Sequence, residues 1–156
     1  MRRPSVAYEF RGTWWVAAPL EAVRETVVDL ERYPEWWPQI RAVAKLGPDD
    51  ARVLCRSALP YTLDLVLHAV SREGSVLEVD VCGDLDGSVR WELAPEPGGT
   101  RMGFEQQVLV SGPLAVASYV VRPLLRWNHH RMMLGCIAGL RDRLGDRAPG
   151  GSTTQP

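Results

Sequence analysis

The chain's 156 residues suffice for one domain and leave little room for two. Apolar residues make up 46% and charged residues 24%, a globular balance that can bury a core without disulfide or metal staples. The 18 basic groups nearly cancel the 19 acidic ones, so the basic excess of a nucleic-acid binder is missing and no nucleic-acid partner is expected. Six Trp stand against two Phe, and 17 Arg against the single Lys45.

The opening MRRPSVAYEF has two positive charges but no apolar run behind them, which does not fit a signal peptide. No apolar stretch approaches a membrane span; the richest, 113–125, is short and holds Ser118 and Arg122. Cys55, Cys82 and Cys136 are odd in number and widely spaced, with no CxxC pair. They read as reduced thiols of a cytoplasmic protein, with no metal site.

In chain order, 5–17 reads as a strand: Tyr8, Phe10, Trp14 and Val16 alternate with Glu9, Arg11, Thr13 and Trp15. Gly12 in its middle is expected to mark a bend or bulge. Pro19 sits at a helix start, and Leu20, Val23, Val27 and Leu30 follow at helical spacing to about Asp29. In ERYPEWWP, Pro34 and Pro38 allow only a single helical turn between them. From 40 to 112 the pattern is of six strands, 40–46, 52–59, 61–72, 76–82, 89–94 and 101–110, separated by Gly, Pro and Asp clusters. Such short connections require an antiparallel meander, because parallel strands need long crossovers. A helix pattern then runs over 114–144, about 46 Å at 1.5 Å per residue. Pro123 is expected to kink or split it near Arg122, and Gly145 to cap it. The tail 146–156 has too little apolar content to anchor and is expected to be disordered.

One strand, two short helices, six strands and a long helix make an α+β domain over 1–145. At AAPLEAVRETVVDLERYPEWWPQI the chain resembles the START-related helix-grip superfamily of lipid-transport proteins and polyketide cyclases/dehydrases. The carrying residues are Pro19, Val23, Asp29, Tyr33, Pro34, Trp37 and Pro38, with Trp36 and Trp37 both present where one aromatic is usual. The final helix with its internal Pro123 and its GLRDRLG end adds to the likeness. The resemblance covers roughly residues 5–145. It implies a curved seven-stranded sheet gripping the C-terminal helix, with a ligand cavity between them.

Strand alternation then assigns the inward side chains: Val53, Cys55 and Ser57; Leu63, Leu65 and Leu67; Leu77, Val79 and Val81; Val89, Trp91 and Leu93; Met102, Phe104, Gln106, Val108 and Val110. A single bulge would invert a strand. On the helix, Leu125, His129, Met132, Met133, Cys136 and Leu140 share a face that turns His129 toward the sheet. Candidate ligand contacts are therefore Trp36, Trp37, Tyr61, Leu65, Val79, Trp91, Phe104, Gln106, Val108, Tyr119, His129, Met133 and Cys136. Trp36 and Trp37 either gate the mouth or clamp the short helices to the sheet. Gln106, an amide on an apolar face, either pairs internally or waits for a ligand, since burying it unpaired is costly. His129 is either a core histidine or a ligand contact. Cys136 lies two turns from His129, about 10 Å, too far for a thiolate–imidazole pair. Arg52, Arg56, Arg72, Arg90 and Arg101 are expected on the solvated outer face, paired with carboxylates.

An apolar pocket with few polar groups is the usual form of a small-molecule site. The residues thus point first to a non-catalytic binder or carrier of a small apolar molecule: a lipid, polyketide or isoprenoid-like compound. The alternative is a polyketide cyclase, aromatase or dehydrase in which His129, Gln106, Tyr61 and Arg56 orient and polarise a poly-keto chain. A third class, an interaction module acting on another macromolecule, rests only on the aromatics of ERYPEWWP. No P-loop, GxSxG, HExxH or dinucleotide motif occurs, and no cofactor is expected. Monomer and homodimer both stay open.

Overall fold

The computed structural model describes the backbone at 5–56, 62–111 and 113–145, and the side chains there except at 5, 6, 110, 111 and 113–121. Ser57, Tyr61, the Tyr119 side chain and the 146–156 tail lie outside the described residues. Seven strands form one sheet: β1 Ser5–Val16, β2 Ile40–Lys45, β3 Asp50–Cys55, β4 Leu63–Ser71, β5 Val76–Gly83, β6 Asp86–Glu96 and β7 Gly99–Ser111. Helices α1 Leu20–Val28 and α2 Tyr33–Trp36 link β1 to β2 through a 3-10 turn at Leu30–Arg32, and α3 Pro113–Gly145 closes the chain. The strand order is β1-β7-β6-β5-β4-β3-β2, with every pairing antiparallel. Only β1 leaves the meander, pairing with β7 while its connection crosses to the far edge. This is the helix-grip arrangement the resemblance implied.

The alternation in β1 holds: Tyr8 and Val16 are buried, while Glu9, Arg11, Thr13 and Trp15 are exposed. Gly12 makes no bulge, because the register runs unbroken from Ser5↔Ser111 to Val16↔Thr100. Its missing Cβ instead makes room for the Trp14 indole, which a side chain at 12 would strike. The irregularities that do occur, between Ile40 and Ala42 and between Ala69 and Ser71, lie at strand ends. They leave the assigned inward faces of β3 to β7 intact. Pro123 does not split α3, which runs through it as one helix of 33 residues.

The core forms where α1, α2 and the C-terminal half of α3 meet the sheet, around Val16, Val23, Leu93, Met102, Ile137, Leu140 and Leu144. Two glycines on α3 permit this. A Cβ at Gly139 would collide with the Trp36 carbonyl oxygen, and one at Gly135 with the Gln39 side-chain amide. The helix can therefore lie directly against the α2 backbone. Two buried polar side chains secure the crossover: the Tyr33 hydroxyl donates to the Val27 carbonyl, and Thr100 Oγ1 donates to the Ala18 carbonyl at 2.8 Å. Burial also pushes the Tyr33 phenol well above its ordinary pKa, so it stays protonated and keeps donating.

On the convex face Arg52 bridges Asp64 at 2.5 Å and Arg101 bridges Glu96 at 3.5 Å, whereas Arg72, expected there, lies past the end of β4 and bridges Asp49. Arg56 and Arg90 are exposed as expected but, among the described residues, bridge no carboxylate.

Candidate functional site

Beside the packed core the sheet and α3 do not meet completely. They leave a cavity of about 260 Å³, just below the usual range of small-molecule sites. Its wall follows the pleat. Ala51, Val53 and Cys55 come from β3, Leu65, Leu67 and Ala69 from β4, Leu77, Val79 and Val81 from β5, Val89 and Trp91 from β6, and Phe104 and Gln106 from β7. The opposite side comes from Val27, Tyr33 and Trp37 of the crossover and from Met132 and Met133 of α3. Trp91 and Phe104 meet at 4.7 Å between ring centres, with Trp14 behind them at 6.4 and 6.3 Å. Trp37 is held in place by its Nε1–H, which donates to the Met132 carbonyl at 3.1 Å.

Gln106 is the polar group on the inner wall, and it pairs internally. His129 Nε2–H donates to Gln106 Oε1 at 2.8 Å. The imidazole lies flat on Phe10 at 3.8 Å between ring centres, with Phe104 tilted at 5.9 Å. Burial, helped by the neighbouring charge of His130, pulls the His129 pKa down to about 4. At neutral pH the ring is therefore uncharged with a single N–H, and the contact with an amide oxygen places that proton on Nε2. With Oε1 engaged, the Gln106 NH₂ is the end of the amide left for the cavity. His129 itself stands behind Gln106, outside the lining. Burial raises the thiol of Cys55, in the wall, to about 11, so it is a neutral apolar surface.

The cavity mouth is polar. Asp29, Leu30 and Glu31 rim one side, and Gly47, Pro48, Asp49 and Asp50 the other, with Lys45, Arg72 and Glu78 alongside. Arg72 Nη1 donates to the Pro48 carbonyl at 2.9 Å and also bridges Asp49. Arg24 reaches from α1 to the Arg72 and Gly74 carbonyls. Two arginines thus tie three segments of the rim together.

Of the candidate contacts, Trp37, Leu65, Val79, Trp91, Phe104, Gln106 and Met133 line this cavity. Besides His129, which stands behind Gln106, four expected site residues do not. Trp36 stacks on Trp37 at 5.8 Å between ring centres but borders a smaller polar cleft with Thr26 and Arg143. Cys136 is fully buried in the core, one turn beyond Met133, where α3 already touches α2. Val108 has the inward parity but packs with Tyr8, Phe10 and Leu125 in a separate cluster. Arg56, one residue past the end of β3, is exposed and outside the lining. Tyr61 and the Tyr119 side chain lie outside the described residues. Sequence reasoning passed over Tyr33, Met132 and the whole rim. Tyr33 was signalled by its place in the Tyr-Pro motif, and Met132 by the α3 face it shares with Met133.

Among solved structures, a START superfamily protein from Mycobacterium smegmatis superposes with a TM-score of 0.76 at 18% identity, covering 90% of this chain and 99% of that one. A protein from Thermus thermophilus gives 0.77 at 19%, over 90% and 99%. The Zhui aromatase/cyclase from Streptomyces sp. R1128 gives 0.76 at 14%, over 94% and 99%. At such identities these likenesses are of fold. No curated protein matches the chain. The family model described as polyketide cyclase / dehydrase and lipid transport matches residues 8–144. With nearly its whole length inside that match, the chain belongs to the polyketide cyclase/dehydrase and lipid transport family.

Proposed function

We propose that the protein binds and carries a small, mainly apolar molecule in the cavity between the sheet and α3. The observation that carries this reading is the wall itself: aliphatic and aromatic side chains from five strands around a void, with one amide set into them. Such a wall gains by removing apolar ligand surface from water, at about 25 cal/mol per Å². The amide adds orientation. Gln106 offers N–H while its oxygen is held by His129, which favours a ligand with a carbonyl or ether oxygen at its inner end. Among the described residues the inner wall offers no charged group for proton transfer, which supports carriage over acid–base chemistry.

The test is ligand retention. Native mass spectrometry of the purified protein is expected to show a bound apolar species, and matching ligands should raise the melting temperature. Protein that is empty and unshifted by a panel of lipids, polyketides and isoprenoids would refute the reading.

A second reading, a polyketide cyclase or dehydrase, is favoured by the Gln106–His129 pair and by the family's description. Gln106 would hold a ketone oxygen while the apolar wall folds the chain, so catalysis would come from positioning. Under this reading Gln106→Leu and His129→Ala both lower turnover of a poly-keto analogue. Unchanged turnover in both variants removes the pair from that role.

A further inference from the structure

We propose that the outward face of α3 docks on an anionic lipid surface. Leu124, Trp127 and Leu134 are 45%, 48% and 47% exposed, large apolar side chains on one helix. At 100° per residue they share roughly half the helix circumference with Arg126, His130 and Arg131, all exposed. Arg131 lies over the Trp127 ring at 6.0 Å, so cation and indole share one patch.

Charge selects the partner. From Gln106 to Arg141 the sequence contains four arginines and no carboxylate, so the other residues hold 14 basic groups against 19 acidic. Elsewhere most carboxylate bridges of arginine are found: Arg11, Arg32, Arg52, Arg72, Arg101 and Arg143 each bridge one, while Arg41, Arg56 and Arg90 stand singly among the acidic residues of the sheet. Among the described residues Arg122, Arg126 and Arg131 bridge none, and Arg122 and Arg126 instead lie over the Tyr8 and Phe10 rings. A stripe of Leu and Trp flanked by unpaired Arg matches the interfacial zone of a bilayer, where indole sits at headgroup level and cations meet lipid phosphate. No helix among the described residues is long and apolar enough to cross the bilayer, so the contact is one of surface docking. A purely charged acidic surface would satisfy the arginines but would leave the exposed Trp and Leu in water.

The experiment is flotation of the full chain with vesicles of phosphatidylcholine alone, or with a third phosphatidylglycerol, at 20 and 300 mM salt. Binding is expected to the anionic vesicles only and to weaken with salt. Each near-surface cation is worth roughly fivefold at an anionic leaflet, so Arg126→Gln/Arg131→Gln should lower the partition coefficient about 30-fold. Trp127→Ala should lower it at both salt concentrations. These are surface changes, and circular dichroism checks that the fold persists. Equal binding to both vesicle types, or no binding at 20 mM salt, overturns the proposal. So does binding to polyglutamate without binding to vesicles, which would point to an acidic protein.

Discussion

Replacing His129 by Gln should flatten the acid side of the stability profile. In the unfolded chain a histidine takes up its proton near pH 6.5. In the folded protein His129 does so only near 4, because burial disfavours the imidazolium and His130 repels it. Between these values the unfolded state binds more protons. The contribution is therefore fully present above pH 6.5 and is lost as pH falls toward 4. With those two pKa values, about 2 kcal/mol disappears between pH 7.5 and 5. At a urea slope of about 1–3 kcal/mol per M this moves the midpoint by about 1 M. Urea unfolding of the wild type and His129→Gln at both pH values is the assay. Glutamine can still donate toward Gln106 Oε1 but carries no titratable ring. Carboxylate pairs such as Asp64 with Arg52 and the exposed His68–Asp50 pair titrate in both proteins and cancel in the comparison. The wild-type midpoint should fall further than the variant's by about that amount. Parallel midpoints would mean that His129 titrates as if in water, and the description of a dry, neutral ring behind Gln106 would be wrong.

Gly139→Ala should destabilise by about 1–3 kcal/mol through overpacking, although Ala is the better helix former by about 1 kcal/mol. The new methyl would strike the Trp36 carbonyl, whereas Gly145→Ala meets nothing and serves as control; a melting temperature for Gly139→Ala at or above wild type would contradict the close packing. Tyr33→Phe removes the hydroxyl that satisfies the buried Val27 carbonyl and should cost about 1–3 kcal/mol in chemical unfolding; a neutral result would mean that water reaches that carbonyl. Val79→Phe adds a ring inside the cavity without opening the core. It should lower binding of an apolar fluorescent probe tenfold or more while the unfolding midpoint moves little, and unimpaired binding would place the probe elsewhere.

Period-two alternation made the inner wall legible. Leu65, Val79, Trp91, Phe104 and Gln106 face the cavity as their parity requires, because both register shifts fall at strand ends. Parity gives the face but not the depth. Val108 has the same parity as Phe104, four residues back, yet packs under Tyr8. Cys136 shares a helical face with Met133 but lies where Gly135 and Gly139 bring α3 onto the crossover, a closeness no side-chain pattern records. Trp36 and Trp37 are adjacent, equally apolar and stacked on each other, yet only Trp37, whose Nε1–H donates to the Met132 carbonyl, reaches the cavity. The rim was hidden because it is built from turns, where alternation says nothing and hydrogen bonds from Arg24 and Arg72 decide which loops meet. The Arg excess, expected to be surface paired with carboxylates, is so paired at Arg52, Arg72 and Arg101 but not at Arg56 and Arg90, and α3 adds Arg122, Arg126 and Arg131, which bridge none among the described residues.

The most direct test of an apolar cavity that holds a small molecule is native mass spectrometry of wild type and Val79→Phe purified side by side. The expected result is a non-covalent, ligand-sized mass on the wild type, released by mild organic solvent and absent from the variant. An identical, ligand-free spectrum for both proteins, with no thermal shift of the wild type by any apolar panel compound, would contradict it.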